Sequence, residues 1–206
     1  MSVTQSTRIV VHPLVVRVTH WLNAFAMICM ITSGWQIYNA SPLFGFAFPH
    51  WMTLGGWLGG AIAWHLAAMW LFIVSYGTYF AYGIVARHFT RRFWPISPSA
   101  VWRDFRAALT LRLQHRAGSY NAVQRLFYVG VLLMMGAALL SGFGLWKPIQ
   151  FQTMVGLMGG YEVVRRIHFV TMSGIVGFLA IHLALVAIVP STLWSMITGR
   201  AILEEK

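Results

Sequence analysis

Four apolar runs, each long enough to cross a bilayer, constrain this chain more than any other feature of its sequence. About 20 apolar residues, rising ~1.5 Å each in a helix, span the hydrocarbon core. Runs at about 15–38, 51–86, 122–145 and 162–189 meet that length. Lipid offers the backbone no hydrogen-bond partner, so only helices and closed barrels cross it. The runs lack the strict alternation of barrel strands. The expected fold class is therefore all-α: an integral membrane four-helix bundle, one domain over residues 1–206. The second run is long enough to tilt or to continue past the membrane. Composition agrees, since 9% of residues are charged and 58% hydrophobic. An ordinary soluble domain carries about 25% charged residues.

Charge placement orients the chain. A net charge of +11 would suit nucleic acid, but its distribution argues otherwise. Arg87, Arg91, Arg92, Arg103, Arg106, Arg112 and Arg116 lie between the second and third runs, with Asp104 the only acid among them. Arg8 and Arg17 precede the first run; Arg200 and Lys206 follow the fourth. The segment 39–50 has neither Lys nor Arg. The positive-inside rule then puts both termini and the Arg-rich loop in the cytoplasm. The basic excess is a topology signal that also attracts anionic lipid; no nucleic-acid partner is expected. Residues 102–113 interleave Arg with apolar side chains at helical spacing. They read as a helix on the cytoplasmic membrane face, or as an ordinary loop helix. Pro190 ends or kinks the fourth run, leaving 191–200 as a short interfacial tail. The first run is too long for a signal-peptide core and reads as a retained helix. There is no sustained internal repeat.

The single cysteine, Cys29, excludes an intrachain disulfide, a CxxCH haem attachment and a Cys-ligated iron–sulfur cluster. A metal would have to be held mainly by histidine. Ionisable residues inside spans are expensive and are functional candidates by default. Four of the eight histidines fall there: His20, His65, His168 and His182. One such histidine is more often a packing residue than a ligand; four are harder to dismiss. His168 and His182 are 14 residues apart, about 21 Å along a helix and nearly in phase at ~100° per residue. Two sites on one face at two depths suit two stacked haems. Helix direction then pairs His20 with His182 toward the cytoplasm, and His65 with His168 toward the outside. On these boundaries His65 lies somewhat deeper than His168. Arg17, Arg165 and Arg166 stand where haem propionates need cations, although interfacial snorkelling accounts for any one of them equally well. Gly34, Gly59, Gly60, Gly136, Gly174 and Gly177 let helices or a porphyrin approach closely, and helix packing alone explains most of them. His12, His50, His88 and His115 lie outside the spans and read as solvated.

The runs Arg17-Val-Thr-His20-Trp21-Leu-Asn23-Ala24 and Thr32-Ser-Gly34-Trp35 resemble the first helix of the bacterial cytochrome b561 family. Its members include the cytochrome b subunits of nickel–iron hydrogenases, respiratory formate dehydrogenase and thiosulfate-reductase-like complexes. Tyr120-Asn121-Ala-Val-Gln124-Arg, Ser141-Gly142-Phe-Gly144, Arg166-Ile-His168 and His182 extend the resemblance over nearly the whole chain. It implies two haem b groups and exchange of electrons with membrane quinone as substrate. It also places a quinone site at Asn121, beside the haem of His20 and His182, with Gln124 and His115 able to complete it. As a plain structural residue, Asn121 would be a helix N-cap. No carboxylate base is evident nearby.

The leading functional expectation is a di-haem electron-transfer subunit. Its periplasmic partner would be a molybdopterin oxidoreductase or hydrogenase, reached directly or through an iron–sulfur or c-type subunit. Self-association is compatible with such a chain. An alternative is a stand-alone superoxide:quinone oxidoreductase, with a basic outer pocket at Lys147, Arg165 and Arg166 attracting the anion. A third is a haem-free membrane anchor or transporter.

Overall fold

The computed structural model describes residues 6–110 and 120–204. In chain order the elements are β1 (Ser6–Val10), α1 (Leu14–Ala40), α2 (Leu58–Val85), α3 (His88–Arg92), α4 (Pro98–Leu109), α5 (Ala122–Trp146), α6 (Gln152–Leu157), α7 (Tyr161–Ile188), α8 (Ser191–Thr198) and β2 (Arg200–Glu204). Helices α1, α2, α5 and α7 are long and apolar enough to cross a membrane. Among the described residues the protein is all-α apart from one small ladder, in which β1 pairs antiparallel with β2 and Ser6 is the register partner of Glu204.

Burial runs opposite to that of a soluble protein. Val18, Leu22, Phe25 and Ile28 form an exposed apolar stripe along α1. Its buried positions include Thr19, Ala26, Cys29, Ser33 and Gln36. Where lipid is the solvent, large apolar groups gain nothing by leaving the surface. Close approach of small residues and interhelical hydrogen bonds hold the helices instead.

The chain divides into two units, Met1–His88 with Val189–Lys206, and Phe89–Ile188. In the first, α1 packs on α2 where Ala26 and Ala61 are fully buried, and Ser75 Oγ donates to the Thr19 carbonyl at 3.1 Å. The Leu54 amide donates to the Thr32 carbonyl (3.1 Å) and Thr53 Oγ1 to Gln36 Oε1 (2.7 Å). Both bonds tie the α1–α2 loop to α1. Pro190 separates α7 from α8, and the Val11 and His12 amides donate to the Gly199 carbonyl at 2.9 and 3.3 Å.

Helix α2 begins at Leu58, not near residue 51 as its apolar run suggests. Residues 50–52 form one 3-10 turn. Gly55 and Gly56 then take φ of 110° and 71°, a left-handed geometry open mainly to glycine. The apolar character of 51–57 is real but belongs to a loop, because hydropathy reports the surroundings and not the dihedrals.

In the second unit α5 packs on α7. A Cβ added at Gly144 would sit 3.1 Å from Val155 and 3.3 Å from Val164, which is fully buried. Helix α7 is entered through Gly159 and Gly160, φ 97° and 94°. The start of α5 is closed by a capping box: Asn121 Oδ1 accepts from the Gln124 amide (2.8 Å), and Gln124 Oε1 from the Asn121 amide (3.1 Å). Asp104 Oδ2, on α4, accepts from the Ala122 amide at 2.9 Å.

Candidate haem-ligand and quinone sites

The four intramembrane histidines fall at matched positions on their helices. His65 and His168 each lie seven residues after the first residue of α2 and of α7. His20 lies six residues after the start of α1, and His182 six before the end of α7. The deeper placement of His65 expected from the apolar run disappears once α2 starts at Leu58. Helix α7 is continuous from His168 to His182, so the spacing argument from the sequence holds on the actual helix.

The surroundings of His65 and His168 settle which ring nitrogen carries the proton. Ser33 Oγ donates to the Cys29 carbonyl at 2.5 Å, which uses its one proton, and stands 3.1 Å from His65 Nδ1. The Met30 carbonyl lies 3.1 Å from the same nitrogen. Both neighbours therefore accept, so Nδ1 donates and Nε2 is the unprotonated nitrogen of the ring. In the other unit Ser141 Oγ donates to the Ala137 carbonyl at 2.7 Å and stands 3.0 Å from His168 Nδ1; a backbone hydrogen bond links His168 and Ala138. The next residue on each helix is glycine. A Cβ at Gly34 would lie 3.4 Å from His65 Cε1, and one at Gly142 3.3 Å from His168 Cε1. Thus each unit repeats one arrangement: Ser-Gly on the first helix, a Gly-Gly turn with positive φ, then histidine seven residues into the second. The sequence shows no sustained repeat because only these few positions recur.

His182 stacks on Phe178, with centroids 5.8 Å apart and planes at 8°; His20 meets Trp21 edge-on at 5.2 Å. Asn23 Oδ1, one turn beyond His20, is a buried oxygen without a hydrogen-bond partner in the structure.

These residues fit a haem. Among the described residues no three His, Cys, Asp or Glu side chains converge on a metal position, as a metal held by protein alone would need. A porphyrin would supply four nitrogens and ask the protein only for imidazoles with an unprotonated nitrogen, ideally with the other N–H donated to an acceptor. His65 and His168 have that form.

The expected cationic residues are partly engaged. Arg17 Nε donates to the Met196 carbonyl at 3.3 Å and Nη2 to that of Ile197. These groups complement the carbonyl end of α8. Arg165 pairs with Glu162 at 3.2 Å, Arg166 is exposed, and Lys147 Nζ lies 5.1 Å from the centre of the Trp146 ring.

At the other end of α5, Asn121 and Gln124 spend their oxygens on the cap, leaving the Nδ2 and Nε2 hydrogens outside it. His115 lies outside the described residues. An apolar groove lined by Ile96, Pro98, Val101, Trp102, Phe105 and Leu126 runs between α4 and the first turns of α5. Burial pushes the Tyr120 hydroxyl above the ordinary phenol range, and Arg92 pulls it partly back. It therefore stays a protonated donor beside Asn121. Asp104 supplies a carboxylate here that its place 17 residues earlier in the chain does not announce; its standing as the only acid in an Arg-rich loop was the available signal.

A multi-pass helical membrane protein with histidines inside its long apolar helices is the class that fold and site define. Residues 11–199 match the family model of prokaryotic cytochrome b561, and the chain belongs to that family, which implies b-type haem. It is 46% identical, over 190 residues covering 92% of this chain and 96% of the relative, to a putative protein-methionine-sulfoxide reductase subunit YedZ1 of Azospira oryzae.

Proposed function

We propose that the chain is a di-haem b-type subunit of the bacterial inner membrane that carries electrons between membrane quinone and a periplasmic oxidoreductase. His20 with His182 would hold the cytoplasmic-side haem, and His65 with His168 the outer one. The observation that carries the reading is the shared state of His65 and His168: the same distance into the helix, with Nδ1 held by a buried serine oxygen. Two neutral imidazoles on each iron would leave it no open position, which favours electron transfer over ligand activation. When bound, the haems supply one-electron redox chemistry; the chain orients them and excludes water. Arg165 and Arg166 are the propionate anchors proposed for the outer haem, and the remaining guanidinium hydrogens of Arg17 for the inner one.

Quinone would enter along the α4–α5 groove, with the Asn121 and Gln124 amides donating to a carbonyl oxygen and His115 completing the site. The partner's chemistry is read from the relative, whose name makes it a subunit of a protein-methionine-sulfoxide reductase. Reducing a sulfoxide consumes two electrons and two protons and releases water. Electrons would then run outward, from quinol through the inner and outer haems to the partner, a molybdopterin enzyme being one type that fits. The arginine-rich α2–α5 segment and the pairing of the two terminal strands support a cytoplasmic location for both ends.

A reduced-minus-oxidised spectrum of the purified chain, with haem quantified, tests this reading. Two b-type haems per chain are expected, falling to one in His182→Ala. A purified chain without b-type absorption sinks the proposal.

A further inference from the structure

Ser33 and Ser141 do the same thing in separate units. Each is fully buried. Each sends its proton to the carbonyl four residues back and offers a lone pair to the Nδ1–H of a histidine on the following long helix. Each is followed by the glycine whose missing side chain lets the imidazole lie close. Helix packing needs only a small residue at these positions, and alanine would serve. The hydroxyl oxygen adds an acceptor inside lipid, where water cannot replace it.

We propose that Ser33 and Ser141 are a matched pair of positioning residues acting on one haem, through His65 and His168, and that together they hold its potential low. This deepens the di-haem reading and rests on it. An acceptor on Nδ1–H increases electron density at Nε2, making it a better donor to iron. A better axial donor stabilises the ferric state more than the ferrous. Removing the acceptor must therefore move the potential upward. Ser33→Ala leaves the Met30 carbonyl in place, and Ser141→Ala leaves the backbone bond at Ala138. The tautomer and the haem survive while donation weakens.

Potentiometry of the full-length chain followed by visible spectroscopy is the test. Ser33→Ala and Ser141→Ala should each keep two haems and raise the potential of the same haem. The double variant should shift by about the sum of the two, with the second haem unmoved. Placing the changes in His182→Ala, which retains only the outer haem, isolates the component that should move. Ser33→Cys and Ser141→Cys, with a weaker acceptor of similar size, should shift less in the same direction. They carry the test if an alanine variant fails to accumulate. Unchanged potentials, or shifts falling on two different haems, overturn the proposal. Failure of the underlying reading shows separately, as fewer than two haems in the unaltered chain.

Discussion

Gly142 shows how little room a single position can leave. Its added Cβ would already stand 3.3 Å from His168 Cε1, so the two further methyl carbons of Gly142→Val must push the ring aside. Haem per chain is expected to fall from two to about one, read from the pyridine haemochrome spectrum. Gly77→Ala, where nothing lies within 4 Å, should retain both haems and serves as the control. Retention of both in Gly142→Val would show that His168 does not bind iron in the observed rotamer. The histidines themselves were legible in the sequence, because an imidazole among apolar residues is costly and must be accounted for. Their serines and glycines were not. A serine in a lipid-embedded helix bonds to its own preceding turn, and a glycine there permits packing, so each reads as bland until a ring nitrogen is found beside it.

Hydropathy located the four long elements but not the glycine turn before α2, while the cap of α5 at Asn121 was legible from residue type. Helix α2 begins at a glycine turn inside its apolar run, and α5 begins at a capping box whose asparagine carries two candidate roles. The two can be separated, because the cap uses Oδ1 and a quinone carbonyl would need Nδ2–H. Asn121→Asp keeps the acceptor and adds negative charge at a helix N-terminus, which is favourable, while deleting the donor. Its melting temperature should hold, and its KM for quinol should rise roughly 3- to 10-fold, as loss of one net hydrogen bond of about 1 kcal/mol implies. Asn121→Ala removes both and should also cost about 1 kcal/mol of stability. Equal turnover in Asn121→Asp and the parent would confine this residue to capping. Asp104 illustrates what spacing alone hides. It joins the same cap from α4, 17 residues before Asn121 in the chain.

At the scale of the molecule, four candidate spans and a ladder joining Ser6–Val10 to Arg200–Glu204 agree with the proposed placement of both chain ends on one side of the membrane. The proposed side follows from charge: seven arginines and a single acid between the second and third runs, against no Lys or Arg in 39–50. Translocating the Arg-rich segment against the membrane potential would cost ~2.3 kcal/mol per charge per 100 mV, so that segment should remain cytoplasmic. Two exposed positions report on this, Ala47 in the α1–α2 loop and Ser99 in α4. The native thiol of Cys29 is buried and should contribute little background. A membrane-impermeant maleimide applied to intact spheroplasts should label Ala47→Cys and spare Ser99→Cys until the membrane is opened. The reverse pattern would invert the bundle. The Asn121 end of α5 would then face outward, and quinol oxidation there would release its protons on the opposite side of the membrane. Labelling therefore fixes which face each redox site serves.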